Sequence, residues 1–334
     1  MTRLSRRQFV VGAGAAGFGL LAGCGRLPWQ PAPPRVPRIG CLSPFHADND
    51  FGTDASFRAG LRDFGYVEGT SLIIERRHAD GKGDRLPELA TELVRAPVDI
   101  VVVFGFPAAQ AAQAATTTIP IVIAIVADPV GTGLVASFAH PGGNITGSTS
   151  FSPELGAKRL ELLKEVMPNA SRVILLWNAT DPDKFGEFRA TEAAANLLGL
   201  RVESLEVYGP GEVESVLDAA SSAQADVFTA LANSVTISRR KTIVEFANKN
   251  GLPAIYNDRA WVQDGGLMSY GANPSAVISR AAYYVDRILK GAKPADLPIE
   301  QPMRFDFVVN LKTARELGIT FPQEILLQVT EVIQ

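Results

Sequence analysis

Ile100-Val101-Val102-Val103-Phe104-Gly105-Phe106-Pro107-Ala108 decides the fold. Five apolar, mostly β-branched residues run into a glycine, and a proline two positions on opens an alanine-rich stretch to Ala115. An uninterrupted apolar run suits a strand covered on both faces, and proline suits the first turn of a helix. The stretch predicts strand, turn and helix, the unit of a parallel sheet sandwiched between helices.

Outward from it the alternation continues. Ile39 to Ser43, Ser71 to Arg76 and Ile121 to Ile125 read as strands, with helices over Thr53 to Phe64 and Arg85 to Val94, the latter capped by Asp84. The turn formers of Pro141 to Ser148 mark a crossing, after which the pattern restarts. Helices over Glu154 to Val166, Phe185 to Leu198 and Ile237 to Asn248 alternate with strands over Arg172 to Trp177, Arg201 to Val207, Val227 to Ala230 and Pro253 to Tyr256. A helix over Ser275 to Leu289, stopped by Gly291, follows. The expected class is α/β, with two doubly wound Rossmann-like lobes and a hinge. Lobe 1 covers 37–146 plus about 274–300, and lobe 2 covers 147–273 plus about 301–334.

The N-terminus reads as an export signal. Arg3, Arg6 and Arg7 precede an uncharged run from Val10 to Leu21 that is short of the roughly 20 residues a spanning helix needs. Ser5-Arg6-Arg7-Gln8-Phe9-Val10 resembles a twin-arginine motif, and Leu21-Ala22-Gly23-Cys24 resembles a lipobox. Residues 1–23 are thus expected to be removed and Cys24 lipidated, which places the protein as a membrane-anchored lipoprotein in the periplasm or at the cell surface. The proline-rich residues 24–36 then form a tether. Gly12-Ala13-Gly14-Ala15-Ala16-Gly17 spells a dinucleotide fingerprint, but no strand precedes it and the first acid is Asp48.

The chain has a net charge of −3, and removal of the three leader arginines leaves −6 on the body. An acidic body argues against nucleic acid as a partner. Of the two cysteines, an acylated Cys24 leaves Cys41 unpaired, a small buried hydrophobe within Ile39-Gly40-Cys41-Leu42. His46, His78 and His140 are scattered without companion ligands, so neither a metal nor a cofactor is expected.

Several segments carry a resemblance. Gly65-Tyr66-Val67-Glu68-Gly69, Asp84 to Ala90, Ala127-Asp128-Pro129-Val130 and Pro141 to Gly147 resemble the ABC-transporter substrate-binding proteins of the tryptophan/tyrosine type. So do Gly265 to Gly271, Tyr283 to Gly291 and Asn310 to Ala314, and the likeness runs in order through residues 37–334. It implies a type I periplasmic-binding fold, a ligand held between two lobes, and delivery to a membrane permease served by an ATPase. A monomer without enzymatic activity is expected.

In open parallel sheets ligands bind beyond the carboxyl ends of strands. That rule selects Ser43 and Phe45, then Gly105, Phe106, Pro107 and Ala108, whose helix start suits a carboxylate. It also selects Asp128 as partner for an ammonium, with Asn178, Asn233, Tyr256 and Tyr270 from the second lobe. The aromatic rings suit an apolar or aromatic ligand, amino acid-like or a simple carboxylate. Around Asn233 the chain departs from the Asp-Pro more usual in the family. A surface-anchored hydrolase is the enzyme alternative, but no Gly-x-Ser-x-Gly, His-Glu-x-x-His or P-loop is present. A sensor for a membrane signalling partner shares the fold.

Overall fold

Five strands, β1 (Arg38–Ser43), β2 (Ile73–His78), β3 (Ile100–Phe104), β4 (Ile121–Ile125) and β5 (Ile145–Gly147), pair in parallel in the order β2-β1-β3-β4-β5. The computed structural model describes residues 35–150, 153–221 and 224–334. The expected leader, the Cys24 lipidation site and all but the last two residues of the 24–36 tether lie outside the described residues.

Every residue of β3 is buried, because helices cover both faces. Its side chains alternate: Val101 and Val103 pack with Leu93 and Ala112, whereas Ile100, Val102 and Phe104 pack with Ile39 and Phe57. Cys41 lies in the second of these cores, and burial pushes its thiol up, which leaves it inert as a nucleophile.

A second sheet holds β6 (Arg172–Asn178), β7 (Arg201–Val207), β8 (Val227–Ala230), β9 (Ala254–Tyr256), β10 (Met268–Gly271), β11 (Asp306–Asn310) and β12 (Glu331–Ile333). Its order is β12-β11-β10-β9-β8-β6-β7, parallel throughout except between β10 and β11. Its first five strands in chain order repeat the arrangement of the first sheet, so each sheet reverses direction beside its first strand. Such a reversal leaves a crevice at the strands' carboxyl ends. β11 and β12 were not expected; β12 is three residues long and only partly buried, too little pattern to read.

The helix Pro274–Leu289 follows β10 in the chain yet packs in the core of the first sheet, where Ile278, Ala281 and Val285 meet Phe57 and Ile39. It lies tightly on the helix Thr53–Asp63: a Cβ on Gly60 would sit 2.2 Å from the Ser279 carbonyl oxygen. The chain then returns beside its first crossing, where Ser148 and Glu300 form a parallel bridge.

Two local expectations are corrected. Asp84 caps nothing, since a 3₁₀ turn over Gly83–Arg85 intervenes and the helix Leu86–Arg95 starts without a capping side chain. The helix expected over 237–248 is two, Ser234–Ser238 and Arg240–Lys249. Asp50, before the helix Thr53–Asp63, gathers the amides of Gly52 and Asp54 and the Thr53 hydroxyl at the helix start.

Candidate functional site

A cavity of about 340 Å³ lies where the carboxyl ends of the two sheets' strands converge. From the first sheet, the segment after β1 contributes Phe45 and Phe51, and the turn after β3 contributes Gly105, Phe106 and Pro107. Phe45 and Phe51 meet edge to face, with ring centroids 5.1 Å apart. Phe51 has φ 55°, a left-handed conformation costly for a bulky residue, and Gly52 follows at φ 80°. The strained turn directs an aromatic ring into the cavity.

Gly105 adopts φ 83° and ψ 161°, open only to glycine, and precedes the helix Phe106–Ala115. No side chain caps this helix. Pro107 has no N–H, so the amides of Phe106 and Ala108 remain for an anion, with the helix dipole behind them.

The second sheet's side is polar. Arg159, from the helix Pro153–Val166, and Glu187, from the helix Phe185–Leu197, form a buried ion pair, and Arg159 also donates to the Tyr270 carbonyl at 3.2 Å. Burial pulls the Arg159 guanidinium below its usual pKa, against the pull of Glu187. Lys184 Nζ lies 3.5 Å from Glu187 and 3.6 Å from Asp183. Burial opposes its charge, yet Asp183, Glu187 and Asp181 together hold the ammonium above its ordinary range.

Among the described residues, Asp181, Asp258 and Asp306 of the lining form no such ion pair. Asp181 accepts from the Asp183 amide at 3.1 Å and from Asn233 Nδ2 at 3.0 Å, and Asp258 accepts from the Ala260 amide at 2.8 Å. Burial raises both carboxyls; Lys184 opposes the rise at Asp181, and the Ala260 amide with Arg240 and Arg159 opposes it at Asp258. Asn257 Oδ1 is also buried without a protein partner, while its Nδ2 lies 3.4 Å from Glu187. The lining thus sets Asp181, Asp183, Asp258 and Asp306 against Arg159, Lys184, Arg240 and Arg259, with Arg240 held by Asp264 and Arg259 by Glu331.

Of the residues expected at the site, the cavity brings together Phe45, Gly105, Phe106, Pro107 and Asn233. Asn233 lies there mainly as a cap: its Oδ1 accepts from the amides of Val235 and Thr236 in a capping box. Six others fall outside the lining. Ser43 accepts the Phe45 amide and so shapes the turn, and the Ala108 side chain is wholly buried in the core although its amide heads the helix. The Asp128 carboxylate is turned away to the Gly131 amide at 2.7 Å. Asn178 Oδ1 is occupied by the amide and hydroxyl of Thr180. Tyr256 is core, stacked on Trp261 at 4.8 Å, and burial pushes its phenol up. Tyr270 packs its ring against Phe305 and Phe307 and presents only its carbonyl to Arg159.

Residues missed from the sequence are Asp181, Asp183 and Lys184 after β6, and Phe51; Asp258 lies in the strand-end stretch Tyr256-Asn257-Asp258, from which the sequence reading selects only Tyr256. Asp181-Pro182-Asp183 offered a signal, acids on a proline turn just past a strand and shortly after the expected Asn178.

Residues 39–333 match the family described as ABC transporter substrate binding protein, and the chain belongs to that family. It is 25% identical over 263 residues to a tyrosine-binding protein of Clostridioides difficile, covering 79% of this chain and 75% of the relative. Among solved structures, a conserved domain protein of Vibrio cholerae superimposes with a TM-score of 0.84 at 28% identity, covering 89% of this chain and 100% of that one. A Streptococcus pneumoniae ABC domain in complex with L-Trp gives 0.83 at 28% identity, covering 89% and 99%. These neighbours carry the type I periplasmic-binding fold that the two sheets form here.

Proposed function

We propose that this member of the ABC transporter substrate-binding family captures a free amino acid with an apolar, aromatic side chain and hands it unaltered to a membrane permease. The observation that carries the reading is the two-sided cavity: aromatic rings of Phe45, Phe51 and Phe106 on one side, and on the other Asp181 and Asp258, which form no ion pair among the described residues. The ligand carboxylate meets the amides of Phe106 and Ala108, its ammonium meets Asp181 and Asp258, and its side chain lies among the rings. About 340 Å³ is within the roughly 300 to 1,000 Å³ of small-molecule sites. The tryptophan complex and the tyrosine-binding relative support this class of ligand.

In this reading lobe 1 (37–146 and about 274–300) and lobe 2 (147–273 and about 301–334) close on the ligand about their crossings. The protein works as a monomer, exported by the twin-arginine route and held at the membrane surface through Cys24. Cys24→Ser should release it from the membrane fraction, and Arg6-Arg7→Lys-Lys should block export; retention of both would refute the anchor and the route. Native mass spectrometry of the purified protein should recover an unmodified amino acid. A chemically altered or non-amino acid ligand would overturn the reading.

A further inference from the structure

We infer that Asp183 is a clasp across the cleft, joining the two lobes through the protein's own backbone and thereby setting how long a captured ligand is held. The inference rests on the reading of this cleft as a ligand site. Asp183 lies on the 3₁₀ turn Pro182–Lys184 after β6, in the second sheet's lobe, and is 4% exposed. Its Oδ1 accepts the Asp128 amide at 2.6 Å and its Oδ2 the Ala127 amide at 3.0 Å. Both amides belong to the turn after β4, in the first sheet's lobe. One carboxylate thus takes two successive N–H groups from the opposite lobe, a charge-assisted, two-point contact containing no ligand atom.

The receiving turn is built to present those amides. The Asp128 carboxylate holds the Gly131 amide, and the Asp128 carbonyl accepts from Thr132 through both amide and hydroxyl. Gly131 has no room for a side chain, since a Cβ there would lie 2.0 Å from Asp128 Oδ2. Thr149 Oγ1 pins the turn from behind, donating to the carbonyls of Val126 and Ala127. Ala127-Asp128-Pro129-Val130 therefore has a role apart from ligand contact: it is the seat of the clasp. Asp183 itself is fixed by its own amide on Asp181. A second contact joins the lobes nearby, with the Arg240 guanidinium 5.6 Å from the centre of the Phe51 ring and anchored by Asp264 at 2.6 Å.

Such a contact raises the fraction of protein in the closed form and so tightens binding without touching the ligand. Hydrogen exchange on the full chain, with no ligand added, tests it at single amides. Ala127 and Asp128 should be protected, and Asp183→Ala should reduce their protection about ten- to a hundredfold. Amides of Val102 and Leu175 in the two sheets report that the variant is folded. If Asp183→Ala does not fold, Asp183→Asn, which puts an N–H against one amide, should free one of the two sites. Stopped-flow with L-tryptophan as probe should show release from the variant about tenfold faster and association unchanged, a split that mere destabilisation of the fold does not produce. Unprotected Ala127 and Asp128 in the parent, or protection that survives in the folded variant, would overturn the clasp. Failure of the parent to bind L-tryptophan or L-tyrosine would count against the proposed ligand class and leave the exchange result standing.

Discussion

Arg159 and Glu187 face each other with 2% and 0% of their side chains exposed, a buried ion pair directly behind the cavity. Breaking such a pair strands a charge in a poor dielectric at about 3 to 5 kcal/mol. Glu187→Gln should therefore destabilise the protein by that amount in urea unfolding. Arg159→Met with Glu187→Met should cost less than the sum of the two single changes; additive costs would show that the pair is not coupled.

The ammonium assignment predicts a selective loss. Asp181→Asn and Asp258→Asn should each weaken L-tryptophan by roughly ten- to a hundredfold, the worth of a hydrogen bond to a charged group. The deaminated acid of the same side chain should be affected far less. Calorimetry with both ligands checks it, and equal losses for the two would take these carboxylates out of the ammonium role.

A pH dependence follows from the same residues. Burial raises both carboxyls, so they take up protons at a higher pH than ordinary aspartates, and amino acid affinity should fall as pH is lowered through those raised values. The sign for stability is opposite. Between the unfolded value of about 3.9 and the raised folded value, the folded protein binds more protons, so Asp181 makes stability decline as pH rises through that window. Asp181→Asn should flatten this slope in melting measurements; an unchanged slope would contradict the assignment.

Gly271 couples fold to site. A Cβ there would lie 2.1 Å from the carbonyl oxygen of Asn257, whose segment carries Asp258. Gly271→Ala should displace that segment, costing about 1 to 3 kcal/mol of stability. It should also weaken L-tryptophan by more than tenfold in the still-folded protein, about 1.4 kcal/mol. Unchanged affinity would show that the segment does not hold the ligand.

The legible parts of this molecule were those governed by local pattern. β3 and the helix after Gly105 could be read because complete burial leaves an unbroken apolar run and the glycine and proline mark the turn. Of the aromatic first-lobe wall, Phe45 and Phe106 followed from the strand-end rule and Phe51 did not. Tyr256 was misread because it ends β9 with its ring in the core beside Trp261, and the cavity-facing residues begin one position later at Asn257. Asp128 looked like a ligand contact because its strand-end position is visible in sequence, whereas the partner of its amide, Asp183, comes from the other sheet's lobe. The strain at Phe51 leaves no mark beyond a neighbouring glycine.

The cavity is proposed to bind a free aromatic amino acid between the lobes. Isothermal titration of the purified protein with L-tryptophan and L-tyrosine tests it most directly. One site per chain is expected for at least one of the two, weakened about ten- to a hundredfold by Asp181→Asn and with a negative heat-capacity change as the aromatic side chain leaves water. No saturable binding of either amino acid, or binding indifferent to Asp181 and Asp258, would contradict it.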